Sequence, residues 1–283
     1  MMKMAVCIVC ISLALSGAAS CDLKPGKKVE PDVVFATTPH KVVREMLKLA
    51  YVTKDDVVYD LGSGDGRIVI AAARDFGARG VGLEFDQELV AESTESAKRA
   101  GVSERVRFIK EDIFTADISK ATVVALYLLP ELNKRLVPKF FRELKPGARV
   151  VAHRFGAEGW KPDMTLAAFD TMVYLWVIPA NAEGEWKATF RNEKETKGYM
   201  LSLRQNYQMV TGTIRDGEKE FTLLDARLYG GEIAMRVDDT IAGRRLQMNL
   251  VGVVRGDSIE GTASVAGGRS PGTYVWKATR IAR

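Results

Sequence analysis

The chain has 283 residues, of which 47% are hydrophobic and 27% are charged. This composition is that of a globular protein and excludes a disordered or collagen-like chain, and the length is sufficient for two domains. The formal net charge of +5 is mildly basic, but the lysines and arginines are scattered apart from one dense group in residues 24–28. A basic stripe of the kind that binds nucleic acid is not indicated, and we expect no nucleic-acid partner.

Residues 1–21 have the pattern of a secretory signal peptide. Lys3 precedes an apolar run at residues 5–15, which is too short to span a bilayer comfortably as a helix. Two ends of this signal remain open: Cys21 is placed like the lipidated cysteine of a bacterial lipoprotein, and ordinary cleavage near Ala19 fits equally well. Both predict a protein of the cell envelope, either periplasmic or anchored to the membrane by lipid.

The alternative location is the cytoplasm, with the same segment kept as an uncleaved anchor. Lys24, Lys27 and Lys28 follow the apolar run, whereas Lys3 alone precedes it, and positive charge tends to stay in the cytoplasm. The mass of the native N-terminus distinguishes these alternatives. An intact N-terminal methionine excludes cleavage, and a diacylglyceryl group on Cys21 identifies a lipoprotein.

The sequence offers little for thiol or metal chemistry. Cys7 and Cys10 lie inside the signal, so the mature chain retains at most Cys21. The two histidines, His40 and His153, are too few for an ordinary zinc site. We therefore expect no disulfide, no cysteine nucleophile and no metal site built by the protein.

A polar tether, residues 22–37, precedes a predicted helix. Thr38 is predicted to cap this helix through its hydroxyl group, with Pro39 in the first turn. Apolar residues then recur at helical spacing and form one face of the helix. These residues are Val42, Val43, Met46, Leu47 and Ala50.

Residues 38–180 are predicted to form a Rossmann-like α/β domain with a mostly parallel sheet. Strands that are apolar on both faces alternate with helices, which indicates a sheet covered on both sides. The predicted strands are residues 57–61, 80–85, 106–110, 122–128, 149–155 and 173–178. The helices between them are predicted at residues 67–75, 87–100 and 131–144.

Residues 181–283 have a different texture, in which apolar and polar side chains alternate. Residues 233–237 are one such run, and glycine-containing turn signals separate it from the next. This pattern predicts a small antiparallel barrel or sandwich. The tetrapeptide Trp-Lys-Ala-Thr at residues 186–189 recurs at residues 276–279, which predicts that the first and last strands pair to close a barrel. A scaffold or docking role is favoured here over a ligand cavity.

A glycine-rich turn follows the first predicted strand. Gly62, Gly64 and Gly66 remove the side chains that would block a ligand lying against the backbone, and Ser63 stands between them. Asp60, at the end of the strand, is placed to accept a hydrogen bond from an ammonium group of the ligand. This arrangement suits the methionine part of S-adenosylmethionine (SAM).

Two further acids follow the next two strands. Glu84 comes about one βαβ unit after Asp60 and is placed to bind ribose hydroxyls, and Asp112 is placed to bind the adenine amino group. A nicotinamide or flavin dinucleotide is the alternative ligand for a glycine turn, but its fingerprint puts the third glycine one residue later than Gly66. The set of residues therefore predicts SAM as the cofactor.

These motifs resemble one branch of the class I, seven-strand SAM-dependent methyltransferases. The resemblance rests on Thr38-Pro39, on Val-Val-Tyr-Asp-Leu-Gly-Ser-Gly-Asp-Gly-Arg at residues 57–67, on Tyr-Leu-Leu-Pro at residues 127–130 and on Tyr-Leu-Trp at residues 174–176. The branch includes the small protein-lysine methyltransferases of mitochondria that modify the ATP synthase and the adenine nucleotide translocase. The resemblance covers about residues 33–180 and implies a methyltransferase with a protein acceptor.

The resemblance also implies positions for site residues. Thr38 and Pro39 should come near the cofactor, and Tyr127 should line the acceptor side. His153 and Glu131 are candidates for offsetting the charge of an acceptor amine, although Glu131 is explained more simply as an acidic residue in a first helical turn. The Asn-Pro-Pro-Tyr motif of many enzymes that methylate amide or ring nitrogens is absent after the fourth strand.

A second functional hypothesis comes from a different class of protein. In it the chain is an envelope binding or scaffold protein, whose β domain holds a ligand or partner and whose Rossmann domain is structural. The export signal favours this hypothesis, because SAM is made in the cytoplasm. The glycine turn, Glu84 and Asp112 argue against it, since a purely structural domain does not need them.

Overall fold

A computed structural model describes residues 37–217, 219–241, 243–268 and 270–282. The predicted signal peptide, the candidate lipidation site Cys21 and nearly all of the predicted tether lie outside the described residues. Within the described ranges, none of the helices combines the length and the apolar character that crossing a membrane requires.

The first half of the described chain forms a seven-stranded mixed sheet with helices packed on it. The strands are β1 Val57–Leu61, β2 Arg79–Glu84, β3 Val106–Lys110, β4 Val123–Leu126, β5 Arg149–His153, β6 Met164–Ala168 and β7 Thr171–Val177. The helices are α1 His40–Leu49, α2 Arg67–Phe76, α3 Gln87–Arg99 and α4 Pro130–Glu143. The strand order is β3-β2-β1-β4-β5-β7-β6, in which β1 to β5 are parallel and β7 runs antiparallel to β5. The predicted Rossmann-like fold is confirmed.

The strand order creates a crevice beside β1. The chain leaves β1 toward β2 on one side and later returns to β4 on the other, so that β1 lies at the point where the winding reverses. In open α/β sheets, ligands bind at this point, outside the carboxyl ends of the strands. The turn at residues 62–66 follows β1 there.

The beginning of α1 differs from the sequence-based prediction. The helix starts at His40, its N-cap position is the extended Pro39, and no side chain caps it. Thr38 is therefore one residue too early to cap the helix, and its buried hydroxyl group instead shares a hydrogen bond with His153 Nδ1, at 3.1 Å. The predicted apolar face of α1 is fully buried, as expected.

The sequence-based prediction also missed β6. This strand pairs with β7 at the edge of the sheet, and most of its residues are partly or fully exposed. Because it buries little on either face, it lacks the apolar run that marks the strands inside the sheet.

The second half of the described chain is an antiparallel β barrel. Its strands are β8 Gly184–Arg191, β9 Thr196–Asn206, β10 Met209–Asp216, β11 Lys219–Thr222, β12 Leu224–Tyr229, β13 Glu232–Ile241, β14 Arg244–Arg255, β15 Ser258–Gly267 and β16 Gly272–Ala282. Eight of them form a closed ring, with β11 added beside β10. The first and last strands pair as predicted, with Ala278 opposite Ala188 and Trp276 opposite Phe190.

One end of the barrel packs against the seven-stranded sheet. Gln208, in the turn between β9 and β10, is buried and accepts a hydrogen bond from Trp160 Nε1 at 3.1 Å. The amide of Gln208 also donates to the Lys161 carbonyl at 2.6 Å. Arg227 forms an ion pair with Asp163 at 2.5 Å. These contacts leave the opposite end of the barrel away from the sheet.

Candidate cofactor site

The glycine turn presents bare backbone at the carboxyl end of β1. Gly62, Gly64 and Gly66 have φ angles of +81°, +52° and +79°, a conformation that other residues rarely adopt. A Cβ atom at Gly66 would lie 2.6 Å from the ring of Phe108, so a side chain there is excluded by packing as well. The turn is held against β2, because the backbone amides of Gly62 and Ser63 both donate to the Leu83 carbonyl.

Asp60 is a buried acid without a cation. It ends β1 with 2% of its surface exposed, and its side chain has no hydrogen-bond or ion-pair partner among the residues that the structure describes. Burial raises the pKa of Asp60 well above its ordinary value, and the nearby charges of Glu84 and Asp65 raise it further. A cationic ligand at this carboxylate would remove that penalty.

The neighbouring acid Asp65 is neutralised within the protein. Arg67 donates to both of its carboxylate oxygens, at 2.9 Å from Nε and 2.5 Å from Nη2. Burial would raise the pKa of Asp65, but the hydrogen bonds and charge of Arg67 outweigh it and lower that pKa. Arg67 also donates to the Thr38 carbonyl at 2.9 Å, which ties the segment before α1 to the glycine turn.

Glu84 lies at the end of β2, as predicted for the acid that binds ribose. One of its carboxylate oxygens accepts from the Gly64 amide at 2.8 Å, and the other accepts from the amides of Phe85 and Asp86 at 2.9 and 3.1 Å. The carboxylate is thus fixed beside the glycine turn. Asp112 lies beyond β3, is exposed and accepts from the Phe114 amide at 2.9 Å.

A small pocket joins several of the predicted residues. It is lined by Thr38, Asp60, Gly62, Ser63, Gly64 and Tyr127, among others. Glu84 borders this group through its bond to Gly64, whereas Pro39 and Asp112 are exposed and do not line the pocket. The roles predicted for these two residues remain predictions.

The ends of β4 and β5 carry an aromatic cluster, Tyr127, His153 and Phe155. The ring of Tyr127 lies 4.1 Å from that of His153 and is stacked at 6.5 Å on that of Phe155. Burial lowers the pKa of His153, and the charge of Arg154 adds to this effect, so the ring is neutral at pH 7. Because Tyr127 also lines the pocket, the aromatic cluster adjoins the cofactor side.

Two residues of this region were not predicted from the sequence. Arg67 follows the glycine turn directly, and its position in the motif was the signal that could have found it. Asn133, on α4, is buried and donates to the carbonyls of Phe155 and Gly156 at 3.1 and 3.3 Å. Nothing in the local sequence marks Asn133, because its partners lie on a distant loop.

The residues present fit SAM. The methionine part of SAM carries an ammonium group and a sulfonium, and the pocket offers the buried, unpaired carboxylate of Asp60 beside exposed backbone. The described part of the chain has no cluster of His, Cys, Asp or Glu side chains arranged to hold a metal ion. The strand order, the glycine turn and the acids at the ends of β1 and β2 define a class I SAM-dependent methyltransferase.

Comparison with known proteins identifies the family. Residues 60–164 match the family described as the ANTKMT methyltransferase domain. A protein-lysine N-methyltransferase of Saccharolobus islandicus is 46% identical over 52% of this chain and 95% of its own length. The ATP synthase lysine N-methyltransferase of Xenopus laevis is 39% identical over 47% of this chain and 57% of its own length. The chain belongs to this family of SAM-dependent methyltransferases.

A solved structure agrees with the cofactor assignment. A protein of Salinibacter ruber, described as an RNA methyltransferase in complex with S-adenosyl-L-homocysteine, is 53% identical over 52% of this chain and 95% of its own, with a TM-score of 0.51. The cofactor of the present chain is SAM. These matches cover about half of the chain, and the family match ends before the barrel begins.

Proposed function

We propose that the enzyme transfers the methyl group of SAM to the ε-amino group of a lysine in a protein. The observation that carries this proposal is the aromatic cluster of Tyr127, His153 and Phe155 beside the cofactor pocket. Aromatic faces attract ammonium and methylammonium groups through their π electrons. The lysine methyltransferase activity in the names of the S. islandicus and X. laevis relatives supports the same acceptor.

A lysine acceptor must lose a proton before it can attack. With an ordinary pKa of about 10.4, only about one lysine amine in 2,500 is neutral at pH 7, which corresponds to roughly 4.6 kcal/mol. SAM supplies an already activated methyl group on its sulfonium. The protein therefore has to orient the amine, exclude water and remove one proton.

His153 is the residue that we assign to the proton. Burial keeps its imidazole neutral, and the hydrogen bond with Thr38 fixes the orientation of the ring. With Nδ1 donating to Thr38 Oγ1, the Nε2 atom is free to accept the proton of the amine. Glu131 is exposed in the first turn of α4, where it is explained by the helix dipole.

The aromatic cluster leads to a test of acceptor binding. Tyr127→Leu is expected to raise the KM for the acceptor about tenfold, because it removes the aromatic face for the ammonium group. Tyr127→Phe keeps that face and should stay close to the wild-type KM. Steady-state kinetics with titration of SAM measures both effects. An equal loss in both variants, or a loss of SAM affinity in Tyr127→Leu, would contradict the assignment.

RNA is a second candidate acceptor, because the S. ruber relative is described as an RNA methyltransferase. The two acceptors are distinguished by incubating the enzyme, radiolabelled SAM and a cell extract, followed by protease or nuclease. We expect the label to survive nuclease, to be lost with protease, and to be recovered as methyl-lysine after hydrolysis. Label that is sensitive to nuclease alone would exclude the lysine proposal.

A further inference from the structure

The end of the barrel that faces away from the sheet opens into a cavity of about 600 Å³. Pockets that bind small molecules are typically about 300–1,000 Å³, and the mouths of β barrels are among their usual places. The turns between β8 and β9, β10 and β11, β13 and β14, and β15 and β16 surround this opening. The contacts of Gln208 and Arg227 with the sheet come from the opposite end.

The inner wall of the cavity is apolar and closed below. It is formed by Phe190, Phe221, Leu246, Met248 and Val265. Beyond Phe190 the barrel is filled, because the rings of Phe190 and Trp276 lie 5.8 Å apart and both Trp276 and Trp186 are completely buried. An eight-stranded barrel has room for its own side chains or for one small ligand. The cavity therefore admits one apolar group from the mouth and no channel.

Tyr199 adds a hydrogen-bond donor to this apolar wall. Its ring packs edge-on against Phe190, with 4.6 Å between the centroids, and it lines the cavity. Burial raises the pKa of Tyr199 to about 12, so its hydroxyl group keeps its proton at neutral pH. This hydroxyl group has no hydrogen-bond partner within the described ranges, and a ligand with an acceptor oxygen would supply one.

The rim of the cavity is mainly cationic. Lys197, Lys219 and Arg244 line it together with one acid, Asp216. Lys197 is paired with Glu195 at 3.3 Å, whereas neither Lys219 nor Arg244 forms an ion pair with any residue that the structure describes. Two unpaired cations above an apolar wall favour a ligand with a negative head and an apolar body.

We propose that the barrel mouth is a binding site for a small amphipathic anion. The apolar body of the ligand lies against Phe190, Phe221 and Met248. Its negative head faces Lys219 and Arg244 and accepts a hydrogen bond from the hydroxyl group of Tyr199. This inference replaces the docking role expected for the barrel from its sequence, and it is independent of the methyl acceptor.

The test uses the full chain with dodecanoate, and with dodecanol as the uncharged counterpart of the same length. Calorimetric titration below the micelle concentration is expected to show one dodecanoate per chain, and about tenfold weaker binding of dodecanol. Arg244→Met and Lys219→Met should each raise the Kd for dodecanoate about tenfold. Lys187→Met is the matched control, because Lys187 is exposed on the outer face of β8, and its Kd should be unchanged.

A second variant tests the cavity itself. Val265→Phe places a ring in the cavity and should abolish dodecanoate binding, with the melting temperature showing that the barrel remains folded. Equal Kd values for dodecanoate and dodecanol, or an equal loss in Lys187→Met, would overturn the proposal. Binding to phosphatidylglycerol vesicles without binding of free dodecanoate would also overturn it, because the vesicle surface cannot enter a closed cavity.

Discussion

Asp60→Asn is expected to weaken SAM binding about a hundredfold while making the unliganded protein more stable. The loss of affinity, about 2.7 kcal/mol, follows from removing a charged hydrogen-bond partner of the cofactor's ammonium group in a buried site. The gain in stability follows because the unliganded protein no longer buries a carboxylate without a cation. Calorimetric titration with SAM measures the first effect and thermal unfolding without ligand measures the second.

The pH dependence of SAM binding gives an independent check on Asp60. Because the folded-state pKa of Asp60 is raised, the stability gained from its protonated form is fully present below the ordinary value of 3.8 and is lost as the pH rises through the raised value. A cationic ligand binds the ionised form. SAM affinity should therefore increase with pH across the same window in the wild type, and this increase should be absent in Asp60→Asn.

Several outcomes would contradict this account of Asp60. Unchanged SAM affinity in Asp60→Asn would remove Asp60 from the cofactor site, and lower stability of the unliganded variant would mean that the carboxylate has a favourable partner after all. Glu84→Gln is a useful comparison, because Glu84 accepts three backbone hydrogen bonds without ligand. That variant should lose both SAM affinity and stability, which separates the two acids by the sign of the stability change.

The core of the fold was predictable because its signals are local. The strands β1 and β3 have the predicted bounds, and the helices of the sheet domain differ by one or two residues. Each of these elements buries a continuous apolar run or face, which appears within a few residues of sequence. The edge strand β6 buries little and gave no such signal. The repeated tetrapeptide at residues 186–189 and 276–279 was an exceptional long-range signal for closure of the barrel.

The site was predictable to the extent that it depends on motif positions. Asp60, the glycine turn and Glu84 follow parallel strands, so strand prediction alone brings them to one edge of the sheet. The hydrogen bond between Thr38 and His153 joins residues 115 apart in the sequence, and neither residue indicates the other. Local propensity therefore predicted a helix cap for Thr38, and tertiary packing gave its hydroxyl group a different partner.

The cavity of the barrel was not predictable for a similar reason. Alternation of apolar and polar residues indicates which side chains point inward, but it does not show whether they fill the interior. In this barrel Trp186 and Trp276 fill one end, whereas Tyr199 and Val265 are only partly buried at the other. The difference depends on side-chain volumes across several strands that are distant in the sequence.

A second buried acid, Asp56, lies at the opposite end of β1 and differs from Asp60 in being fully paired. It accepts hydrogen bonds from the Thr53 amide at 2.8 Å and from Thr122 Oγ1 at 2.7 Å, and it forms an ion pair with Arg149. Arg149 also donates to the Ala50 carbonyl at 3.1 Å. This network joins the end of α1 to the first residues of β1, β4 and β5. Asp56 thus connects four elements at the edge of the sheet away from the cofactor.

Asp56→Asn is expected to lower the free energy of unfolding by about 3 kcal/mol and to leave SAM affinity unchanged, because it leaves Arg149 largely buried without its counter-charge. Burial would raise the pKa of Asp56, but the bonds from Thr122, Thr53 and Arg149 outweigh it and lower that pKa. The stability from Asp56 is therefore present above its ordinary value of 3.8 and is lost as the pH falls through the lowered value. Urea unfolding at several pH values should show the wild type and Asp56→Asn converging in acid, while the exposed neighbour Asp55, changed to Asn, should follow the wild type throughout. A stability difference that persists in acid would show that packing, and not the ion pair, makes Asp56 important.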